Sequence, residues 1–293
     1  MKRKTTDTIS IIVFLLPALI LFFGILVLPM VLSGYYSLFE WNGVGDMKFI
    51  NFGNFKEMFT SDLVPMKAGL LHALLLAGLS VGIQLPLSLG LALMLGRGIK
   101  GERFFLSINF LPVLISTVVI GKLWSAIYTP KGMLNNLLRS LGIIGEKNIL
   151  WTNDGKNGKL LLACIIPMLW QYVGYHMLLM YAGVKSVAPE LREAAKIDGA
   201  TTWQVDRHVV IPSMKQVLKV SVIFAVTGSL KAYDLISILG GNKNSSAAVP
   251  STLLMNQMFD ANRVGMGSAI AVIMIILCFA FAVLINFLFR ERD

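Results

Sequence analysis

Two short motifs in this chain have spacings that enzymes and nucleotide-binding proteins use. Residues 78–82 read Gly-Leu-Ser-Val-Gly, the spacing in which hydrolases present a nucleophilic serine. That motif works on a sharp strand-to-helix turn, whereas residues 78–82 lie inside an apolar segment with a helical pattern. Residues 96–102 have the glycine spacing of a phosphate-binding loop, but Glu102 stands where lysine is required. We therefore predict neither hydrolase activity nor ATP binding by this chain, and we interpret residues 78–82 as a helix-packing segment.

Polar side chains also occur inside segments that are otherwise apolar. Lys231 and Asp234 are three residues apart, so on a helix they would share a face and could pair. Such a pair is either a structural ion pair near a membrane boundary or part of a polar path through the membrane. Aromatic rings can stack on a ring of a transported molecule, and amides and carboxylates can bind its hydroxyl groups. The candidate pathway residues are Gln171, Tyr175, Lys231, Tyr233, Asp234 and Asn256.

The composition is that of a membrane protein. Of the 293 residues, 56% are hydrophobic and only 14% are charged, whereas a soluble domain has about 45–50% apolar and about 25% charged residues. The net charge of +10 is interpreted as basic loops beside membrane spans and not as a nucleic-acid surface. Cys164 and Cys278 lie in apolar segments without the spacing of metal ligands, so no metal site is predicted. His72 and His176 are interpreted as polar packing residues and not as metal ligands or a proton relay, and Tyr172 and His176 are further candidates for binding hydroxyl groups.

Six segments have the roughly 20 apolar residues that a helix needs to cross a bilayer. The first follows three basic residues, but its apolar run exceeds the ~7–15 residues of a cleaved signal, so a retained span is predicted. The predicted fold class is an all-α polytopic membrane protein, a single transmembrane domain over 1–293 with six transmembrane helices. The predicted spans are about 11–33, 69–96, 104–128, 160–184, 217–238 and 265–289.

The distribution of Lys and Arg predicts that both termini are cytoplasmic. With that orientation, 14 Lys and Arg residues fall in inside segments and 10 in outside segments, although the outside segments are longer. An excess of basic residues in short loops marks the cytoplasmic side. The outside loop at 129–159 runs against this trend, because it holds five of the ten. The longest inside segment is 185–219.

That segment has the signals of two short helices joined at a glycine. Ser186 is a candidate cap, Pro189 suits the first turn, and Gly199 is a natural stop. Thr201 or Thr202 can cap the second helix. We call these two helices, at about 189–212, the knob. The knob is either an amphipathic loop lying on the lipid surface or a docking surface for a partner in the water phase.

The residues of this loop resemble the signature loop of binding-protein-dependent ABC importer permeases. The matching motifs are Glu193-Ala194-Ala195, Asp198-Gly199-Ala200 and Ile211-Pro212. Further matches lie at 109–112 with Trp124, 178–187, 230–235 and 265–271. The similarity extends over about 10–290 and is strongest to the carbohydrate branch, the maltose and glycerol-phosphate type.

The resemblance implies a function and a set of partners. The complex would contain two ATP-binding subunits. The loop at about 186–212 would dock on an ATP-binding subunit through Glu193, Ala194, Ala195, Asp198, Gly199, Ile211 and Pro212. The chain itself would bind no cofactor, since ATP and Mg²⁺ would be used by those subunits. The other expected partners are a second, related permease, an extracytoplasmic solute-binding protein and membrane lipid. The expected location is a bacterial or archaeal cytoplasmic membrane, and the expected substrate is a sugar or oligosaccharide.

Other functions stay open at this point. A polyol or a glycerol phosphate ester is an alternative substrate for the same kind of permease. A secondary transporter or channel working alone would need paired half-repeats or several buried carboxylates, and neither is evident in the sequence. A membrane enzyme would need a set of acid–base or nucleophilic residues, which the sequence does not offer.

Overall fold

The computed structural model describes residues 12, 14–61, 63–145, 147–152, 159–240 and 245–290. The basic residues before the first span, the beginning of that span and the last three residues lie outside this part. Five helical segments in it are long and apolar enough to cross a membrane. They are α1 (Phe14–Tyr36), α3 (Met66–Gly96), α7 (Lys159–Ser186), the segment Lys215–Ile238 and α14 (Val264–Leu288).

Shorter elements connect these helices. They are β1 (Phe39–Glu40), β2 (Lys48–Phe49), α2 (Gly53–Thr60), α4 (Glu102–Leu114), α5 (Thr117–Ile127), α6 (Met133–Ser140), α8 (Pro189–Ile197), α9 (Thr202–Val205), α10 (Ile211–Ser213) and α13 (Pro250–Met255). The segment Lys215–Ile238 consists of α11 (Lys215–Leu230) and α12 (Asp234–Ile238). The all-α fold class is confirmed, with one two-stranded antiparallel hairpin of β1 and β2.

The third predicted span is not one straight helix. Its two helices, α4 and α5, meet at an angle of 91°. The bend lies at Ile115 and Ser116, which have extended backbones with ψ of 137° and 133°. Hydropathy gives no sign of this, because the segment is apolar on both sides of the break. The described helices give the predicted six spans when this bent pair is counted as one.

Wide π-helical turns interrupt the long helices α1 and α3 and also follow the short helices α9 and α13. They lie at Phe22–Val27, Ser80–Gln84, Asp206–Val210 and Asn256–Asp260. The first three are each followed, two residues later, by a proline: Pro29, Pro86 and Pro212. Proline has no N–H to donate, and its ring clashes with the carbonyl four residues earlier. A wider turn ahead of the proline relieves that clash without ending the helix.

The described residues form two compact units. The hairpin unit comprises those within 1–64 and 254–275, and the main unit those within 65–253 and 276–293. Arg263 in the hairpin unit donates to both carboxylate oxygens of Glu57, at 2.7 and 2.6 Å. Asn54 is buried there and donates to the carbonyls of Ser37 and Phe39. The assignment of the whole chain to a single domain stays a prediction.

In the main unit, α3 and α4 pack on α7. Ser88 on α3 donates to the Val173 carbonyl of α7 at 2.9 Å, and Gln84 donates to the Leu169 carbonyl at 3.3 Å. Gly174 of α7 faces the backbone of α4, because a Cβ there would lie 1.8 Å from the Asn109 carbonyl oxygen. Small and hydroxyl-bearing residues at these contacts let apolar helices approach closely.

Candidate functional site

The predicted loop between the fourth and fifth spans is built as two short helices. Ala188 precedes a proline and is extended, with ψ of 128°, so α8 begins at Pro189. The helix ends at Ile197, and Gly199 follows with φ of +84°. The predicted first-turn proline and glycine stop are confirmed. Ser186 does not cap this helix, because it is the last residue of α7 and donates to the Gly183 carbonyl.

The second short helix begins with a capping box. Thr201 accepts a hydrogen bond from the backbone N–H of Gln204, and the Gln204 side chain accepts one from the Thr201 N–H. This reciprocal arrangement satisfies two backbone donors that the first turn leaves free. The prediction that Thr201 or Thr202 caps this helix is confirmed, with Thr201 as the cap.

The side chains of this loop face two directions. Glu193, Ala194, Asp198, Gly199 and Pro212 are exposed. Ala195 and Ile211 are half-buried and pack against a core cluster that includes Val205 and Val210. The two alanines of the motif are therefore not equivalent: Ala194 is exposed, whereas Ala195 is half-buried and packs the loop against the main unit.

Three exposed apolar side chains of this loop were not among the predicted site residues. They are Leu191, Ile197 and Trp203, with exposed fractions of 52%, 86% and 60%. Their type alone could have drawn attention to them, since large apolar residues in a polar loop are costly to expose. With Ala194 they form the exposed apolar surface of the knob.

Polar contacts fix the knob to the membrane helices. Arg97, just after α3, donates to Asp206 at 2.6 Å, and the Asp206 carboxylate is almost buried. Arg192 on α8 donates to the Val184 carbonyl of α7. The segment at 96–102, which resembles a phosphate-binding loop only in its glycines, thus provides one of the anchors.

Glu102 provides a second anchor from the same segment. Its carboxylate accepts a hydrogen bond from Tyr181 and lies 3.3 Å from Lys185, both near the end of α7. The acidic residue that excludes this segment from phosphate binding therefore has a structural role, in that it ties the start of α4 to the end of α7.

A cavity of about 460 Å³ opens in the main unit. It lies among α3, α7, α11 and α12 and combines aromatic rings with hydrogen-bonding groups. Its lining includes the predicted pathway residues Gln171, Tyr175, Lys231, Tyr233 and Asp234. A mostly apolar cavity with a few convergent polar groups of this size is typical of a small-ligand site.

Lys231 and Asp234 both line this cavity, but they do not share a helix face as the sequence predicts. The helix α11 ends at Leu230, Lys231 is its C-cap, and Asp234 begins α12. Helical spacing therefore does not apply, and the prediction of a shared helix face is wrong. Within the described part of the chain, these two residues do not form an ion pair. Both line the cavity, so each charge is available to a bound molecule.

The cavity lining also contains residues outside the six predicted pathway residues. His176 is buried, and its Nδ1 has no hydrogen-bond partner among the described residues. The ring centroid of Tyr175 is 5.3 Å from that of His176, edge-on, and 6.4 Å from that of Phe224. Further lining residues are Ser80, Gln84, Tyr172 and Thr227. Polarity in an apolar span indicated Tyr172 and His176, whereas Ser80, Gln84 and Thr227 lie on helices whose pattern predicts only packing.

One predicted pathway residue lies outside the cavity. Asn256 belongs to the hairpin unit, where it donates to Asp260 and accepts from Gln257, and it does not line the cavity. His72 contacts the Ala248 carbonyl at 2.8 Å, in agreement with a packing role. Ser80, the centre of the hydrolase-like motif, lies in a helix and is 3.4 Å from the Ser229 hydroxyl.

A family model described as binding-protein-dependent transport system inner membrane component matches residues 84–292. The chain belongs to this family. The matched region contains the anchored knob and most of the helices that line the cavity. Members of this family are inner membrane components of transport systems that depend on a binding protein.

Individual members show similarity over nearly the whole chain. A probable ABC transporter permease protein from Pyrococcus horikoshii is 33% identical over 278 residues, covering 94% of each chain. The diacetylchitobiose uptake system permease protein of Streptomyces coelicolor is 29% identical, covering 97% of this chain and 83% of the relative. The fold matches that of a bacterial ABC transporter involved in alginate import, with a TM-score of 0.81, 23% identity and coverage of 98% and 97%.

Proposed function

We propose that this chain is the permease subunit of an ATP-driven importer of a sugar or oligosaccharide, and that it forms half of the translocation path. The observation that carries the proposal is the cavity in the main unit, where Tyr175, Gln171, Lys231 and Asp234 meet. The similarity to a diacetylchitobiose uptake permease supports this substrate class.

The chemistry of the cavity suits a carbohydrate. The Tyr175 ring is 36% exposed and offers a face for stacking on a sugar ring. The Gln171 amide and the Asp234 carboxylate can bind hydroxyl groups, and Lys231 can donate to them. Since Lys231 and Asp234 do not pair with each other, neither has to break an ion pair to bind substrate.

The exposed knob is proposed to dock on one of the two ATP-binding subunits of the complex. Ala194 allows close approach, Ile197 and Trp203 supply apolar area, and Glu193 and Asp198 supply charge. The anchors to Arg97 and α7 would pass the motion of those subunits to the helices around the cavity. ATP and Mg²⁺ would be used by the partner subunits.

The remaining partners and the orientation follow from the same proposal. Both termini would lie in the cytoplasm, in a bacterial or archaeal cell membrane. A second, related permease would complete the path, and an extracytoplasmic solute-binding protein would deliver the substrate. Gentle purification of the full chain should therefore isolate an ATPase and a second permease with it. Isolation of the chain alone, with uptake independent of ATP, would favour a secondary transporter or channel.

Ala194→Leu tests the coupling surface. The larger side chain would project from the knob and block close approach, so we expect loss of ATPase assembly while membrane insertion is retained. Ala280→Leu is the matched control, because Ala280 is exposed on α14. Substrate-stimulated ATP hydrolysis that survives in Ala194→Leu would contradict the proposed docking surface.

Asp234→Asn and Tyr175→Ala test the cavity in the complete reconstituted transporter. We expect each to lower transport of a cognate oligosaccharide at least about tenfold, the loss of one charged hydrogen bond or one aromatic contact. Lys122→Gln is the control, because Lys122 is exposed on α5 and does not line the cavity. Transport of a polyol or a glycerol phosphate ester, in place of oligosaccharides, would overturn the sugar assignment.

A further inference from the structure

The helix α6 has an apolar stripe that the fold leaves uncovered. Met133, Leu137 and Leu141 are spaced four residues apart and are 71%, 49% and 63% exposed. Residues four apart lie on one face of a helix. Ile143, just beyond the helix, is 65% exposed as well. Four large apolar side chains on so short a segment form an unusual surface in water.

A second face of α6 holds it on the main unit. Leu134 packs against the core cluster beneath, and Asn135 is fully buried. The Asn135 amide donates to the carbonyls of Thr129, Pro130 and Ile149. These bonds fix the rotation of the helix, so the apolar stripe cannot turn inward to the core.

The third face is polar and basic. Asn136, Arg139 and Ser140 are exposed there, and Arg139 donates to Asn136 and Asn148. Lys131 and Lys147 are exposed on either side of the helix. A separation of apolar and basic faces is the pattern of helices that lie in the surface of an anionic bilayer.

A buried aromatic cluster lies beneath α6. The ring centroids of Trp124 and Tyr128 are 5.4 Å apart, and those of Tyr128 and Trp151 are 6.0 Å apart. All three side chains belong to the core cluster of the main unit or pack against it. The Trp151 indole N–H donates to Asn135 at 3.2 Å, so this cluster is tied directly to α6.

We propose that α6 lies in the headgroup layer of the bilayer, with Met133, Leu137 and Leu141 among the acyl chains. Arg139, Lys131 and Lys147 would then contact the phosphates of anionic lipids. This also explains why the loop at 129–159 is basic although it is predicted to lie outside. Its positive charge would serve lipid binding and not the determination of topology.

Spin labelling of the full chain in phosphatidylglycerol and phosphatidylcholine vesicles tests the proposal. Single cysteines at 133, 137 and 141 would be introduced after replacement of Cys164 and Cys278 by alanine, with Asn136→Cys and Arg139→Cys as matched polar-face controls. We expect oxygen to reach the labels at 133, 137 and 141 several-fold better than a water-soluble nickel complex does. The two control labels should show the reverse preference.

Two results would overturn the proposal. Ready access of the nickel complex to all five labels would place the stripe in water. Poor access of both reagents to 133, 137 and 141 would mean that protein covers it, either a second copy or another subunit. The basic face is tested with the triple variant Lys131→Gln, Arg139→Gln and Lys147→Gln. In anionic vesicles this variant should place the label at 137 at a shallower depth. An unchanged depth would contradict the proposed contact of these basic side chains with lipid phosphates. None of these readouts depends on transport activity.

Discussion

At Gly174 the backbone of α7 touches the backbone of α4, and no side chain can be accommodated there. A Cβ at this position would lie 1.8 Å from the Asn109 carbonyl oxygen, which is backbone and cannot rotate away. Gly90 on α3 is also helical, but a Cβ there would meet nothing within 4 Å. Sequence alone cannot distinguish these two glycines, because both lie in apolar helices.

Gly174→Ala should therefore destabilise the protein while Gly90→Ala should not. Overpacking of this kind costs about 1–3 kcal/mol, and in α7 it would also displace Gln171 and Tyr175 at the cavity. Gly90→Ala should be neutral or slightly stabilising, since alanine favours a helix. Thermal unfolding of each detergent-solubilised variant measures the difference, and equal melting temperatures would contradict the close contact.

Single residues of the candidate site could be predicted in part. The motif identified the knob, yet it could not separate Ala194 from Ala195, because both lie on the apolar side of a helix. Which one faces the core depends on the packing of Val205 and Val210 beneath them. Polarity indicated Tyr172 and His176 as candidates for binding hydroxyl groups, but only the three-dimensional arrangement places both in the cavity lining.

Among the elements, α8 and α9 are held by contacts from distant parts of the chain. The carboxylate of Asp206 is only 8% exposed, and Arg97 is its partner across more than 100 residues of sequence. Removal of the arginine would leave a nearly buried charge without its ion-pair partner. Long-range pairs of this kind do not appear in any local sequence pattern.

Arg97→Gln should loosen the knob. The loss of a charged hydrogen bond costs roughly 1–3 kcal/mol, and we expect faster hydrogen exchange across 202–210 together with weaker substrate-stimulated ATP hydrolysis. The swapped pair Arg97→Asp with Asp206→Arg should restore part of both. Glu190→Gln is the control, since Glu190 is exposed on α8. Unaltered exchange in Arg97→Gln would show that the ion pair does not hold the loop.

Local sequence chemistry determines some element boundaries but not others. Pro189 and Gly199 bound α8, and Thr201 caps α9, as the sequence predicted. The 91° bend between α4 and α5 and the helix end at Leu230 fall inside apolar runs. Hydropathy records the length of such a run but not its direction, so the third span and the pairing of Lys231 with Asp234 were predicted as straight helix.

For the molecule as a whole, hydropathy and charge predicted most of the architecture. Six apolar segments correspond to five long helices and one bent pair. Side-of-membrane assignment remains a prediction from the positions of Lys and Arg. The division of the described residues into a hairpin unit and a main unit was not predictable, because 254–275 joins the first 64 residues from the far end of the sequence.

Cysteine labelling in intact cells tests the orientation. With both termini inside, Val44→Cys should react with a membrane-impermeant maleimide in intact cells, because Val44 is 79% exposed in a predicted outside loop. Glu190→Cys, in the predicted inside loop, should react only after the membrane is permeabilised. The reverse pattern would invert the topology and remove the knob from the side on which ATP is found.

Glycine is required at Gly199 for a different reason than at Gly174. Its φ is +84°, and a Cβ there would meet nothing within 4 Å. A side chain at this position is therefore disfavoured by the left-handed backbone conformation and not by a lack of space. The left-handed backbone region disfavours an L-amino acid by about 1–2 kcal/mol. A D-amino acid has the opposite preference and favours this region. In a semisynthetic chain, D-alanine at 199 would meet the backbone requirement that L-alanine does not, so the stop of α8 is a matter of chirality.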